Sequence, residues 1–115
     1  MSNVFTVVSP IGYTVSCTQS QWDNHILVNH PNMKGKEDVV AHAVAKPQWV
    51  YQSDDFPSRD VYFAVSGNTN NKLRYTKVIV ETNINNDADV VSAWMQASVL
   101  GNINPGVIRY VNPKL

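Results

Sequence analysis

Residues from Val4 to Ser9 and from Tyr13 to Cys17 are rich in β-branched and aromatic types, on either side of Pro10, Ile11 and Gly12. Two such runs around a tight turn predict a short β-hairpin. The period then changes. Thr18 offers a helix N-cap, and Trp22, Ile26 and the flanking Leu27 recur at helical spacing until Pro31 stops the run, which predicts a helix over residues 19–30. The chain restarts at Gly35. Glu37 and Asp38 place two carboxylates in a first helical turn, where unpaired backbone N–H groups favour negative charge. Val39, Val40, Ala43 and Val44 then form an apolar stripe, with Asp38 and His42 on the other face, until Pro47 ends this second helix.

Beyond Pro47 the alternation returns to period two. Gln48–Ser53, Asp60–Ser66, Leu73–Thr82 and Val90–Gln96 each read as a strand, separated by polar turns over 54–58, 67–71 and 83–89. Short connections between four successive strands predict an antiparallel meander, because parallel neighbours need crossovers of about a dozen residues or more. Val107–Val111 reads as a last edge strand. The predicted fold class is α+β: an N-terminal hairpin and two helices packed on an antiparallel sheet of about four strands. No internal repeat, low-complexity segment or linker divides the 115 residues, so one domain is expected.

Composition narrows the function classes only a little. Nine basic and nine acidic residues cancel, so any attraction for nucleic acid has to be local. Lys72, Arg74 and Lys77, set against the single Glu81, make the one local basic excess on a strand. Cys17 is the only cysteine; it rules out an internal disulfide and, within its alternating apolar run, reads as a small packed residue. The first residues lack the basic region and long apolar run of a signal peptide, and no stretch reaches membrane-spanning length. A soluble protein acting in the cytoplasm, with no membrane partner, is the expectation.

The candidate chemistry lies in the histidines. All three, His25, His30 and His42, fall within residues 22–53. On a regular helix His25 and His30 lie roughly 140° apart, which disfavours shared chelation, and no HExxH is present; no metal and no cofactor are expected. His25 reads either as a half-buried ring bonded to a backbone carbonyl or as a general acid or base. His30 competes with a role as a charge at the helix C-terminus, and His42 reads as exposed beside Asp38. Ser92 interrupts the apolar run VVSAWMQ, either to satisfy a neighbouring backbone group or to face a cleft. Elbow, phosphate-loop and dinucleotide motifs are absent.

The order of these pieces carries a resemblance. A histidine-bearing helix ending in His30-Pro31, then Glu37–Ser53, Arg59–Val65, Lys77–Glu81 and a closing VVSAW from Val90 to Trp94, resembles the phage branch of the nuclease group that includes barnase, EndoU, colicin RNases and RelE. The resemblance covers about residues 22–96. It implies helices on one face of an antiparallel sheet of about four strands, and metal-independent RNA cleavage in which a base takes the ribose 2′-OH proton, an acid protonates the leaving 5′-oxygen and a cation steadies the phosphate. Carried onto this chain, His25 or His30 is the acid or base, Arg59 and Lys77 hold the phosphate, and Ser92 touches phosphate or ribose. Trp94, Arg109 and Tyr110 are further substrate contacts through stacking or charge. The implied partners are RNA, such as a tRNA loop, and an immunity or antitoxin protein, with delivery in a toxin or phage particle. The rival expectation is a catalytically silent protein-binding module, a virion accessory or inhibitor domain presenting Trp49, Tyr51 and Trp94.

Overall fold

The computed structural model describes residues 2–69 and 72–113. Asn70 and Asn71, which belong to the predicted 67–71 turn, lie outside the described residues. Seven strands form one sheet: β1 (Asn3–Val8), β2 (Thr14–Thr18), β3 (Trp49–Ser53), β4 (Arg59–Thr69), β5 (Lys72–Thr82), β6 (Asp87–Gln96) and β7 (Ile103–Val111), in the spatial order β1-β2-β6-β5-β4-β3-β7. All neighbours are antiparallel except β2 and β6, which run parallel with Thr14–Ser16 opposite Asp87–Asp89.

This corrects the expected sheet of about four antiparallel strands and the barnase/EndoU/colicin/RelE-like fold drawn from it. The meander β3 to β6 is only the middle of a mixed seven-stranded sheet. The N-terminal hairpin is itself part of the sheet, because β2 joins it beside β6. Nor does the last strand stay next to its predecessor: the chain leaves β6, crosses the sheet and adds β7 outside β3. Alternation marks a segment as a strand but says nothing of a partner far away in the chain. The crossover that a parallel pair requires is supplied here by everything between β2 and β6.

The helices cover one face. Thr18 caps the first helical run, its hydroxyl accepting from the Gln21 N–H at 3.0 Å. The run is an α turn (Gln19–Gln21), a π turn (Trp22–Ile26) and another α turn (Leu27–Asn29). In the π turn the Leu27 N–H donates to the Trp22 carbonyl, five residues back rather than four. Trp22 and Ile26 are buried on the sheet, while Val28 is 69% exposed. Pro31–Met33 forms a 3-10 turn, and the second helix, Glu37–Ala45, buries Val40, Ala43 and Val44. These residues pack on Val15, Val50, Tyr62, Val78, Val80 and Ala93 to make the main core. No helix among the described residues is long and apolar enough to cross a membrane.

The opposite face carries Trp49, Tyr51, Phe63, Tyr75, Lys77, Ser92 and Trp94, brought together by the registers Trp49↔Phe63, Phe63↔Lys77, Lys77↔Trp94 and Ile79↔Ser92. The segment 97–102 passes over part of it.

The packing predicts unequal costs for two neighbouring truncations. Ile26→Ala removes a fully buried side chain and should lower unfolding free energy by about 2–5 kcal/mol. Val28→Ala should stay within about 0.5 kcal/mol of the parent. Urea denaturation of the two variants checks this phase of the helical run.

Candidate functional site

The site is assembled at one edge of the sheet, where the first helical run meets β6. A register shift between Ile79 and Val80 sets Ser92 and Val90 opposite them and leaves Val91 as a bulge. The Val91 carbonyl accepts from Gln21 Nε2 at 2.6 Å, which ties the helical run to the strand. The run ends at His30, whose N–H closes on the Ile26 carbonyl at 2.7 Å before Pro31 turns the chain away. As a result the His30 ring lies flat against Trp94, with centroids 4.9 Å apart and planes within 20°.

His25 is close enough for its charge to act on His30. Burial, and then the charge of His25, hold the His30 imidazole below the usual histidine value. It is therefore a neutral acceptor near pH 7. The regular-helix argument that separated these two rings does not hold, because the run contains a π turn and His30 itself has left helical geometry, at φ −136° and ψ 72°. Asn29 Nδ2 donates to the His25 carbonyl at 3.0 Å and steadies the run's last turn.

Lys77 stands opposite Trp94 on the neighbouring strand. Its side chain is 1% exposed, with Nζ 4.9 Å from the Trp94 ring centroid and 5.7 Å from that of Phe63. The ammonium donates to the carbonyls of Gly101 at 2.7 Å and Leu100 at 3.3 Å and to Asn102 Oδ1 at 2.8 Å. Gly101 has φ +88°, and a Cβ there would come 3.3 Å from Nζ, so backbone conformation and close approach both call for glycine. Gln96 completes the arrangement: its Oε1 accepts from Trp94 Nε1 at 2.9 Å, and its Nε2 donates to Ser98 O at 2.7 Å and Leu100 O at 2.8 Å. Lys77 thus fastens a loop and is not open to a phosphate.

The remaining expected site residues fall in three places. Ser92 is half-buried on the same face as Trp94, two positions earlier. Arg59 shares that face but lies about 13 Å along β4 from Phe63; its guanidinium stacks 4.2 Å over Phe56 and meets Glu81 at 3.5 Å. Arg109 and Tyr110 belong to β7 at the far edge. Arg109 Nε donates to Asp60 at 2.7 Å across β3, and Asp60 is buried. Burial pushes the Asp60 carboxyl up, and the guanidinium opposes that shift. Tyr110 packs against the core and lines a cleft with Ala45, Lys46 and Pro47. Contacts therefore link His25 to His30, His30 to Trp94 and Trp94 to Lys77, and Ser92 shares the face of Trp94; Arg59, Arg109 and Tyr110 lie elsewhere.

Cys17 is buried and its thiol is pushed up to about 12, by burial first and Asp89 second, so it is no nucleophile. Among the described residues no three His, Cys, Asp or Glu side chains converge on a point that could hold a metal.

A cleft of about 580 Å³ adjoins the stack and was not anticipated. It is lined by Asn32, Lys36, Arg74, Met95, Gln96 and Ala97. Arg74 stood out in the sequence only as one charge of a basic strand; nothing local showed that the turn after His30 would bring Asn32 and Lys36 opposite it. No family model, no curated protein and no solved structure matches the chain.

The buried ammonium sets a pH dependence. Burial lowers the Lys77 pKa from 10.5 to about 8, so the folded chain binds this proton less tightly than the unfolded chain. Between those values the unfolded state holds more protons, and stability rises with pH; below about 8 both states are protonated and the cost is complete. Unfolding free energies of the parent chain and Lys77→Met, measured from pH 7 to 10, should show an upward component in the parent that the variant lacks.

Proposed function

We propose that this protein cleaves RNA by metal-independent transesterification, acting in the cytoplasm. The observation that carries the reading is the pair of neighbouring imidazoles at the sheet edge, one of them stacked on Trp94. Two imidazoles are the minimal set for such chemistry: one accepts the 2′-OH proton while the other donates to the departing 5′-oxygen. His30, held neutral, takes the role of base, and His25 that of acid. Ser92 is assigned the contact to ribose or phosphate. The half-exposed aromatic rings of Trp49, Tyr51, Tyr75 and Trp94 offer stacking surfaces suited to unpaired bases. The motif order from His30-Pro31 to Val90–Trp94, with its resemblance to phage and toxin nucleases, supports the same assignment.

One observation favours a second reading. The ammonium of Lys77, the expected phosphate cation, is occupied by three loop acceptors. A chain that retains the aromatic face but has no catalytic cation is a binding module without turnover.

Incubation of the purified protein with single-stranded RNA in EDTA separates the two. Cleavage should leave 2′,3′-cyclic phosphate ends and spare a fully 2′-deoxy strand. The rate should follow a bell-shaped pH profile, and His25→Ala and His30→Ala should each lower it by about 10²–10⁴-fold. Full activity in both variants removes the acid-base pair from the mechanism, and no cleavage by the parent chain across the pH range leaves the silent module.

A further inference from the structure

The RNA reading leaves a gap: neither of the cations first expected at the phosphate is available, since Lys77 is enclosed and Arg59 is matched by Glu81. The cleft beside the histidine stack fills it. Lys36 sits at the N-terminal boundary of the second helix and Arg74 on β5, and both line the same concave surface. Among the described residues neither cation has a carboxylate within ion-pair distance; the two ion pairs found there involve Arg59 and Arg109. Asn32, on the same wall, makes no side-chain hydrogen bond among the described residues, so its carboxamide donors are available as well. Gln96 contributes shape only, because its amide is committed to Ser98, Leu100 and Trp94. Two cations and an amide with no carboxylate or hydrogen-bond partner among the described residues give this cleft a positive local field, whatever the overall charge.

The position of the cleft identifies the anion. The cleft lies toward the helix side, where Met95 packs against the core, and the chain links it to the histidine pair at two points: Asn32 follows His30 by two residues, and Gln96 follows Trp94 by two and accepts from its indole. A site for one small anion would have no need of these links, whereas a polymer held at the His25/His30 pair must carry its next phosphates away from it. The geometry points to the Lys36/Arg74/Asn32 cleft as a subsite for the phosphodiester backbone of a single-stranded RNA, one that holds the nucleotides flanking the bond presented to His25 and His30. This inference rests on the RNA reading and adds the cationic contacts that reading lacked. Lys36 and Arg74 act as positioning groups for the strand.

The test uses a substrate that cannot be cut. A fluorescein-labelled, fully 2′-O-methylated octanucleotide is titrated with the whole protein, and anisotropy gives the affinity from 50 to 250 mM salt. Lys36→Gln and Arg74→Gln should each weaken binding severalfold and lower the logarithmic salt slope by about 0.7. Lys46→Gln, which removes the same charge from a different cleft, should leave both unchanged. Arg74→Lys should restore most of the slope, and unchanged far-UV circular dichroism shows that each variant folds. The proposal is overturned if Lys36→Gln and Arg74→Gln behave like Lys46→Gln. It is also overturned if polyglutamate displaces the probe as well as RNA does at equal charge, or if inorganic phosphate does so at equal phosphate concentration and ionic strength. The two readings fail separately. Binding that depends on Lys36 and Arg74 without RNA cleavage by the parent chain sinks the nuclease alone, whereas cleavage with KM unchanged in Lys36→Gln and Arg74→Gln sinks the subsite alone.

Discussion

A single ammonium group decides how the second face of this sheet is finished. Lys77 projects from the middle strand of a seven-stranded sheet into a row of aromatic rings, where a charge without partners would be strongly unfavourable. The ring faces of Trp94 and Phe63 supply part of the compensation, and the carbonyls of Leu100 and Gly101 with the Asn102 amide oxygen supply the rest. Those acceptors exist only because the chain, on leaving β6, turns back over the sheet. The route to β7 is thereby fixed, and β7 can take its place outside β3. There the buried Asp60 and its Arg109 partner fasten the far edge.

The same interaction shapes the near edge. Trp94 meets both Lys77 and His30, and its indole N–H is held by Gln96. An indole so constrained gives His30 a rigid surface to rest on, and Gln21, bonded to the Val91 bulge, sets the helical run at the height that makes contact. The cation that conventional reasoning assigns to substrate serves the fold, while Lys36 and Arg74 line a separate cleft.

Much of this was legible locally. The hairpin, the Thr18 cap, the second helix and the strands from Trp49 to Gln96 follow from alternation, capping chemistry and proline positions, all properties of a few adjacent residues. What was not legible depends on partners remote in sequence. Nothing in TVSC announces that Thr14–Ser16 will lie parallel to Asp87–Asp89, and so a four-stranded sheet was expected where seven strands pair. Lys77 reads as a solvent-facing charge on a half-exposed strand, because the loop that encloses it comes more than twenty residues later. For His25 and His30 the angle expected between them was derived from a uniform helix that this chain does not form.

That departure limits how the chain can vary. A π turn accommodates one more residue than an α turn over the same rise, so the stretch from the Thr18 cap to His30 carries a surplus that its five-residue hydrogen bond absorbs. Deleting an exposed residue of the turn, Asp23 or Asn24, removes that surplus and lets the run close as an ordinary helix with the Thr18 cap and His30 still in phase, whereas an added residue has nothing to take it up and swings everything beyond it by about 100°. The imidazole then leaves the indole. This stretch therefore tolerates a shorter chain far better than a longer one.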